Sequence, residues 1–224
     1  MLGFAKTQTQ TVTFNKLINI ENQEEQGRTV LETENGYAVF AIGSDFSFNP
    51  PKLQIRLVKT NEFGDTLYMN SYSHPSNLSF SFVDPRSFKK IGNSLFGLNA
   101  AGIRHDLGIR DYHFFIFDDS LKVKLHRSYN TNGYSNYGRD FAKTEDGGYA
   151  LIGFQVSEQN LDNSSFYLIK VDSLGNKQWE KTYFTNEAIA TNILNTEDGG
   201  FIISGFREIQ FRKMATVLKV DSIG

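Results

Sequence analysis

Residues 144–154 read Thr-Glu-Asp-Gly-Gly-Tyr-Ala-Leu-Ile-Gly-Phe, and residues 196–206 repeat them as Thr-Glu-Asp-Gly-Gly-Phe-Ile-Ile-Ser-Gly-Phe. A second pair follows downstream, where Leu-Ile-Lys-Val-Asp-Ser-Leu-Gly at 168–175 returns at 217–224 as Val-Leu-Lys-Val-Asp-Ser-Ile-Gly. Self-similarity at a fixed offset of about 50 residues is the sequence signature of a repeat architecture. The chain is therefore built from units of that length.

Two diverged copies precede the clear ones. Thr-Glu-Asn-Gly-Tyr at 33–37 and Leu-Val-Lys-Thr-Asn-Glu-Phe-Gly at 57–64 form the first copy. Another copy, which has lost the Gly-Gly pair and the Lys, is visible as the apolar runs at 91–97 and 114–121. Four units are thus predicted, and their approximate bounds are 28–73, 74–130, 131–184 and 185–224.

Each unit is predicted to contain four strands. In the third unit these are 138–143, 149–155, 166–171 and 177–184, and glycine-containing turns of the kind that tight hairpins require follow the first and third strands. The runs are too short and too rich in β-branched and aromatic residues for helices. The sequence therefore predicts an all-β chain, a β-propeller of four-stranded blades that either stands alone or belongs to a larger multi-blade ring. The predicted blade cores contain Val39, Leu57, Phe96, Phe115, Leu151, Ile169, Ile203 and Leu218.

The N-terminal residues carry two further predictions. Residues 11–18 match the fourth-strand position of 178–184, so an N-terminal strand could complete the last unit and remove its exposed edge. Residues 1–10 are interpreted as a residual signal segment or a disordered terminus.

Composition excludes several function classes. The chain has 224 residues, with 23 basic and 25 acidic side chains and no cysteine. A near-neutral charge gives no electrostatic footprint for nucleic acid, and no apolar run approaches a membrane span. Without cysteine there is no disulfide scaffold, thiol catalysis or cysteine zinc site. We expect no metal, no cofactor, no nucleic-acid partner and no membrane insertion.

The repeat motifs resemble a known class of proteins. Thr-x-Asp-Gly-Gly-Tyr/Phe together with Lys-Val-Asp-x-x-Gly-Asn-x-x-Trp is similar to a propeller-like repeat of secreted and cell-surface proteins exported by type IX secretion. The resemblance implies a secreted or surface location and a binding or display scaffold, and it supplies no catalytic residues. Residues 172–179 are also similar to the tryptophan-docking repeat of quinoprotein propellers, although the vicinal cysteines typical of those enzymes are missing.

The recurring charged residues of the motifs have a structural and a functional interpretation. Asp146, Asp172 and Asp198 could bind calcium, but they lack the alternate-residue carboxylates of a dedicated calcium loop. We therefore expect their carboxylates to cap turn amides. The lysines that recur at one strand position are expected to cover the neighbouring blade or to pair with a turn aspartate; they are Lys59, Lys170 and Lys219.

Candidate binding residues lie in the loops whose length and chemistry vary between units. These second-to-third loops and the blade-to-blade crossings fall at the end of the blades opposite the recurrent turns, and variable loops are the more common binding surface. The crossing 129–139 mixes tyrosines with Asn, Ser and Gly, as in antibody paratopes. The predicted ligand-binding residues are Phe46, His105, Asp106, Tyr112, Tyr129, Tyr134, Tyr137, Arg139 and Arg207.

The sequence thus favours a non-catalytic binding or display module whose partner is a protein or a carbohydrate. Two alternatives stay open. One is a carbohydrate-active or quinoprotein-like enzyme domain, which would require two close, partly buried carboxylates in a pocket. The other is a purely structural spacer without a ligand.

Overall fold

The described part of the chain is all-β, as predicted. The computed structural model describes residues 14–18, 23–49, 51–73, 78–82, 84–104, 107–185 and 187–224. Within these ranges the regular structure consists of sixteen strands and one 3-10 turn, Pro85–Ser87. The strands form four sheets, named A to D in chain order, and all neighbouring strands are antiparallel.

Each sheet is a meander of successive strands. Sheet A contains β1 (Gln23–Thr33), β2 (Gly36–Asp45), β3 (Lys52–Thr60) and β4 (Thr66–Tyr72). Sheet B contains β5 (Leu78–Phe82), β6 (Phe88–Gly92), β7 (Leu95–Arg104), β8 (Ile109–Asp118) and β9 (Val123–Tyr129), and both β5 and β6 pair with β7. Sheet C contains β10 (Tyr134–Lys143), β11 (Tyr149–Ser157), β12 (Ser164–Val171) and β13 (Lys177–Tyr183). Sheet D contains β14 (Ala188–Asn195), β15 (Phe201–Ile209) and β16 (Arg212–Val220).

The core lies between consecutive sheets. Phe40 and Leu57 of sheet A pack with Phe96 of sheet B, and two similar clusters join sheet B to sheet C and sheet C to sheet D. Sheets B and C are covered on both faces, so every residue of β12 is buried, including the polar residues Ser164, Ser165 and Lys170. In the part of the chain that the structure describes, no such cluster joins sheet D to sheet A, and the four sheets form an open row.

A bulge interrupts the first strand of every sheet at the same position. The pairing register shifts between Gly138 and Asp140 in sheet C and between Ala190 and Asn192 in sheet D. Equivalent shifts occur at Gly27/Thr29 in sheet A and Phe80/Phe82 in sheet B. One residue is thereby left without a cross-strand partner, and the alternation of side chains between the two faces changes phase at that point.

The expected N-terminal strand is not formed in its described part. Residues 14–18 belong to no strand and contact sheet A, where the Lys16 ammonium lies 2.8 Å from the Asp65 carboxylate and the Phe14 ring lies 5.9 Å from the Tyr37 ring. That this segment completes the last sheet therefore stays a prediction; its described residues lie on sheet A, at the opposite end of the row from sheet D. Residues 1–13, including the predicted signal segment 1–10, lie outside the described residues.

Candidate binding surface

The stacked sheets bring equivalent connections together at two ends. At one end Asn195 Nδ2 donates a hydrogen bond to the Lys143 carbonyl, which joins the recurrent turns of sheets C and D. At the other end the Arg110 amide donates to Ser135 Oγ, which joins the start of β8 to the start of β10. We name the first end the turn face and the second, with the β2–β3, β7–β8, β11–β12 and β15–β16 loops, the loop face.

On the turn face the recurrent aspartates and lysines hold the hairpins. Asp146 Oδ1 accepts a hydrogen bond of 3.0 Å from the Gly148 amide, and its Oδ2 lies 2.7 Å from Lys170 Nζ. Asp198 makes the same contacts with the Gly200 amide, at 3.1 Å, and with Lys219 Nζ, at 2.7 Å. The expectation that the lysines pair with turn aspartates is confirmed for these two turns.

These ion pairs also set the charge of the turns. The hydrogen bond from Lys170 lowers the pKa of Asp146 to about 2, and Lys219 lowers the pKa of Asp198 in the same way. Lys59 reaches across to sheet B instead, where it lies 2.8 Å from Asp119. Among the described residues, no group of three or more His, Asp or Glu side chains is arranged to hold a metal ion.

A cleft of about 410 Å³ separates the two recurrent turns of sheets C and D. Its lining is mostly polar and includes both turn aspartates with Lys170. Because these charges already neutralise one another, the cleft offers a ligand mainly neutral hydroxyl and backbone groups together with exposed Glu145.

On the loop face, each of the four equivalent loops carries an exposed large apolar side chain. Phe46 and Phe48 occupy the β2–β3 loop, and Leu107 occupies the β7–β8 loop. Leu161 in the β11–β12 loop is 78% exposed, and Phe211 at the tip of the β15–β16 hairpin is 98% exposed. Single exposed apolar residues are ordinary, and three equivalent turns of the turn face also expose one each, Phe63, Leu174 and Ile223. The loop face exposes one at all four equivalent loops, a recurrence that suits contact with a partner.

The Phe211 hairpin tip is conformationally unusual. Gln210 and Phe211 have φ values of 51° and 62°, so both residues are in the left-handed region that normally favours Gly, Asn or Asp. For residues with a Cβ this region costs about 1–2 kcal/mol each relative to the right-handed one. The tip therefore presents an almost fully exposed aromatic ring where a smaller turn residue would be less strained.

A stack of aromatic and guanidinium groups lies beside the loops. The Tyr137 ring is stacked on Phe154, with centroids 4.4 Å apart and an interplanar angle of 4°. The Arg110 guanidinium lies 5.1 Å from the Tyr137 centroid, and that of Arg139 lies 5.1 Å from the Phe154 centroid. At such distances a cation is attracted by the face of the aromatic ring that it lies over. Arg139 also lies 3.5 Å from the buried Asp84 carboxylate, so the stack is held on two sides.

Two of the predicted ligand-binding tyrosines are buried, which corrects their assignment. Tyr112 is fully buried between sheets B and C, where its hydroxyl accepts a hydrogen bond of 2.9 Å from Asn99 Nδ2. Tyr129 is 8% exposed, and its hydroxyl donates to the Gly175 carbonyl at 2.7 Å. Both rings fill the space between neighbouring sheets and meet hydrogen-bond partners there, so neither is available to a ligand in this arrangement.

The other predicted residues lie at or near the loop face. Phe46 is exposed, while Tyr134 and Tyr137 are half-buried at the beginning of β10. Arg139 is part of the stack, and the Arg207 guanidinium lies 4.2 Å from the Phe184 centroid. His105 and Asp106 lie outside the described residues.

The sequence analysis missed the exposed loop residues Leu107, Leu161 and Phe211, and it missed the stacking partner Phe154. An isolated leucine or phenylalanine in a polar loop was a visible signal, because the strand pattern gave it no buried position. The sequence carried no signal for the stack, because Arg110 and Tyr137 come from different units and only the packing of the sheets brings them together.

Comparison with known proteins supports the fold alone. No protein-family model matches the chain, and no curated protein matches it. Solved structures with a similar fold include the crystal structure of a protein of unknown function from Dyadobacter fermentans, with a TM-score of 0.56 at 11% sequence identity. The match covers 89% of this chain and 61% of that one, so the chain spans less than two thirds of its neighbour's length. Within the described residues, no helix is long and apolar enough to span a membrane.

Proposed function

We propose that the chain is a propeller-type, non-catalytic binding module that recognises a protein or a carbohydrate through its loop face. Antiparallel sheets of three to five strands, stacked face to face with equivalent ends together, support this proposal, because a propeller is built from four-stranded sheets arranged in this way. The resemblance of the repeats to those of secreted proteins supports a secreted or cell-surface location and export by type IX secretion.

The observation that carries the proposal is the exposed apolar residue on each of the four loops. Phe46, Leu107, Leu161 and Phe211 come from equivalent connections, so the stacking of the sheets places them on one surface. Aromatic residues and arginine are enriched at the centre of protein interfaces. The two leucines favour a protein over a carbohydrate, since sugars are bound mainly by aromatic faces and hydrogen bonds.

The enzyme alternative requires an acid that holds a proton near neutral pH. The buried acids near the first strands are charge-paired instead: Asp84 with Arg86 and Arg139, and Asp140 with Lys89. Burial raises the pKa of Asp84, but hydrogen bonds from Arg86 and the charges of both arginines outweigh it, so the net pKa is lowered. A lowered pKa is unsuited to a general acid.

The experiment compares two triple variants for binding to secreted proteins of the source organism and to a glycan array. The loop-face variant, Leu107→Ser/Leu161→Ser/Phe211→Ser, loses three apolar loop tips. The turn-face variant, Glu145→Ser/Glu197→Ser/Asn176→Ser, carries the same number of serine substitutions on the other face. We expect the proteins that cross-link to the wild type to cross-link equally well to the turn-face variant. The loop-face variant should capture at least about tenfold less of them, which corresponds to a loss of about 1.4 kcal/mol of binding free energy.

Three outcomes of this experiment are decisive. Selective glycan binding that the loop-face variant loses would assign the surface to carbohydrate. Equal loss in both variants, or loss in the turn-face variant alone, would contradict the proposed surface. Circular dichroism serves as the folding control, because serine at these exposed tips removes no core contact.

A further inference from the structure

Sheet D differs from the other sheets because its third strand forms an edge. In sheets A, B and C a fourth strand pairs with the third: β4 with β3, β9 with β8 and β13 with β12. In the described part of the chain, β16 pairs only with β15. The nine residues Arg212–Val220 therefore present an open row of backbone donors and acceptors, which is a template for another strand.

Fourth strands have a second partner, the third-to-fourth turn of the following sheet. In sheet C the turn glycine, Gly175, is so close to β9 that an added Cβ would lie 2.7 Å from Arg127 Cγ and 3.2 Å from Leu125 Cδ2. In sheet D the corresponding glycine, Gly224, would meet Lys181 Cγ at 2.9 Å and the Trp179 ring at 3.1 Å. Each of these fourth strands thus places an apolar residue and, two positions later, a basic residue on the next turn.

Residues 14–18 make the same contact with sheet A. A Cβ on Gly64, the equivalent turn glycine, would lie 2.6 Å from Phe14 Cδ2, and Lys16 Nζ lies 2.8 Å from the Asp65 carboxylate of the same turn. Phe14 and Lys16 therefore correspond to Trp179 and Lys181. This segment occupies the place of a fourth strand from a sheet that would precede sheet A, although the described residues contain no strand paired with it.

The outward faces of sheets A and D carry apolar side chains that no neighbouring sheet covers in the described part of the chain. Ile202 and Val217 of sheet D are the repeat equivalents of Ala150 and Leu168, which are fully buried between sheets C and D. Val217 itself is 67% exposed. On sheet A, an apolar groove of about 450 Å³ runs between residues 14–18 and the outward side chains; its lining includes Phe14, Ile18, Val30, Tyr37 and Val39.

We propose that the outward face of sheet D packs on sheet A of a second copy, whose residues 14–18 pair with β16 in the position of a fourth strand. The contact made reciprocally by two copies closes a ring of eight sheets, within the usual range for propellers. It buries both outward faces and leaves no open edge at β16, whereas a head-to-tail contact that does not close would lead to open chains. This inference does not depend on what the loop face binds.

The repeat fixes the register of the proposed pairing. Lys181 pairs with Leu168 in sheet C, so its equivalent Lys16 is expected opposite Val217, the equivalent of Leu168. Because the chain has no cysteine, Lys16→Cys/Val217→Cys tests this pair without competing thiols. The matched control Lys16→Cys/Lys213→Cys moves the second thiol four residues along β16, about 13 Å, beyond the reach of a disulfide.

Light scattering on the wild type is expected to give a mass near twice 25.4 kDa. Under mild oxidation the Val217 pair is expected to form a covalent dimer at least about fivefold more efficiently than the Lys213 control, since only the first satisfies disulfide geometry. Phe14→Ala/Val217→Asp should shift the mass to one copy while the circular dichroism spectrum is retained.

A monomeric wild type at all concentrations tested would overturn the proposal. Equal cross-linking of the two cysteine pairs would overturn it as well, even if the chain is dimeric, since the dimer would then use a different face. The cysteine pairs keep the test decisive if Val217→Asp fails to fold, because both contain only small replacements at exposed or half-exposed positions.

Discussion

Sheets C and D contain the same sequence motifs but differ in burial. The Lys170 side chain is 7% exposed in sheet C, whereas its equivalent Lys219 is 44% exposed in sheet D. Both lysines make the same 2.7 Å contact with a turn aspartate. The motif therefore determines the local geometry of the contact. Its contribution to stability depends on burial by neighbouring sheets, and sheet C has a neighbour on both sides whereas sheet D has one on a single side.

The largest difference is expected for the apolar pair Leu168 and Val217. Leu168→Ala should lower the free energy of unfolding by about 3 kcal/mol, because a fully buried side chain is lost and leaves a cavity. Val217→Ala should cost less than about 0.5 kcal/mol in a single copy, because the side chain is exposed. Urea denaturation measures both. A Val217→Ala cost that grows with protein concentration would show that another copy covers this face.

The lysine pair should show a smaller difference. Both lysines bond the carbonyl of the next residue at 3.2 Å, but Lys170 is almost fully buried and its Nζ also bonds Gln178 Oε1 at 3.0 Å. Lys170→Met should therefore cost about 2 kcal/mol, and Lys219→Met less than about 1 kcal/mol, as for exposed ion pairs. Equal costs in thermal unfolding would contradict the view that burial sets the weight of the contact.

The turn glycines should show no difference between the two sheets. Gly147 and Gly199 have φ values of 81° and 75°, and neither has an atom within 4 Å of an added Cβ. Alanine at either position should cost about 1 kcal/mol, because only the backbone conformation is disfavoured. A cost in sheet C well above that in sheet D would mean that the turn depends on its neighbour after all. Calorimetry of Gly147→Ala and Gly199→Ala measures the two stability costs.

The smallest expected effect is on the stability of the fold at low pH. Because Lys170 lowers the pKa of Asp146 to about 2, this carboxylate contributes stability that is present above its unfolded pKa of about 3.8 and is lost as the pH falls toward 2. Asp198 behaves in the same direction. Asp146→Asn/Asp198→Asn should therefore reduce the loss of stability between about pH 5 and pH 2. An unchanged pH profile in chemical denaturation would contradict this assignment. Asp162→Asn, at an exposed loop carboxylate, is the control.

The sequence predicted the fold class well because the repeats supply their own internal comparison. Of the predicted core residues, Leu57, Phe96, Phe115, Leu151, Ile169 and Ile203 are buried. Val39 and Leu218 are only half-buried. These two exceptions lie on the sheets at the ends of the row, and a repeat pattern cannot tell a sheet with two neighbours from a sheet with one.

The candidate surface was less predictable. Tyr112 and Tyr137 both looked like loop-face tyrosines in the sequence, yet Tyr112 is fully buried and Tyr137 is half-buried on Phe154. Which of them is covered depends on the facing sheet, through contacts such as Asn99 with the Tyr112 hydroxyl. Alternation along a strand gives the side of a residue, but it does not give the depth of the neighbouring sheet at that point.

The bulge in each first strand marks the one point at which that strand can lose a residue without exchanging its two faces. On β10, Tyr137 pairs with Phe154 and Asp140 with Ile152, so two side chains on one face are separated by three residues instead of two. Deleting Arg139 would restore strict alternation and keep every cross-strand pair, so the side chains on both flanks would remain on their present faces. A codon lost at the bulge would thus leave inward and outward residues in place, whereas a codon lost elsewhere in β10 would exchange the two faces between the deletion and the bulge or the strand end.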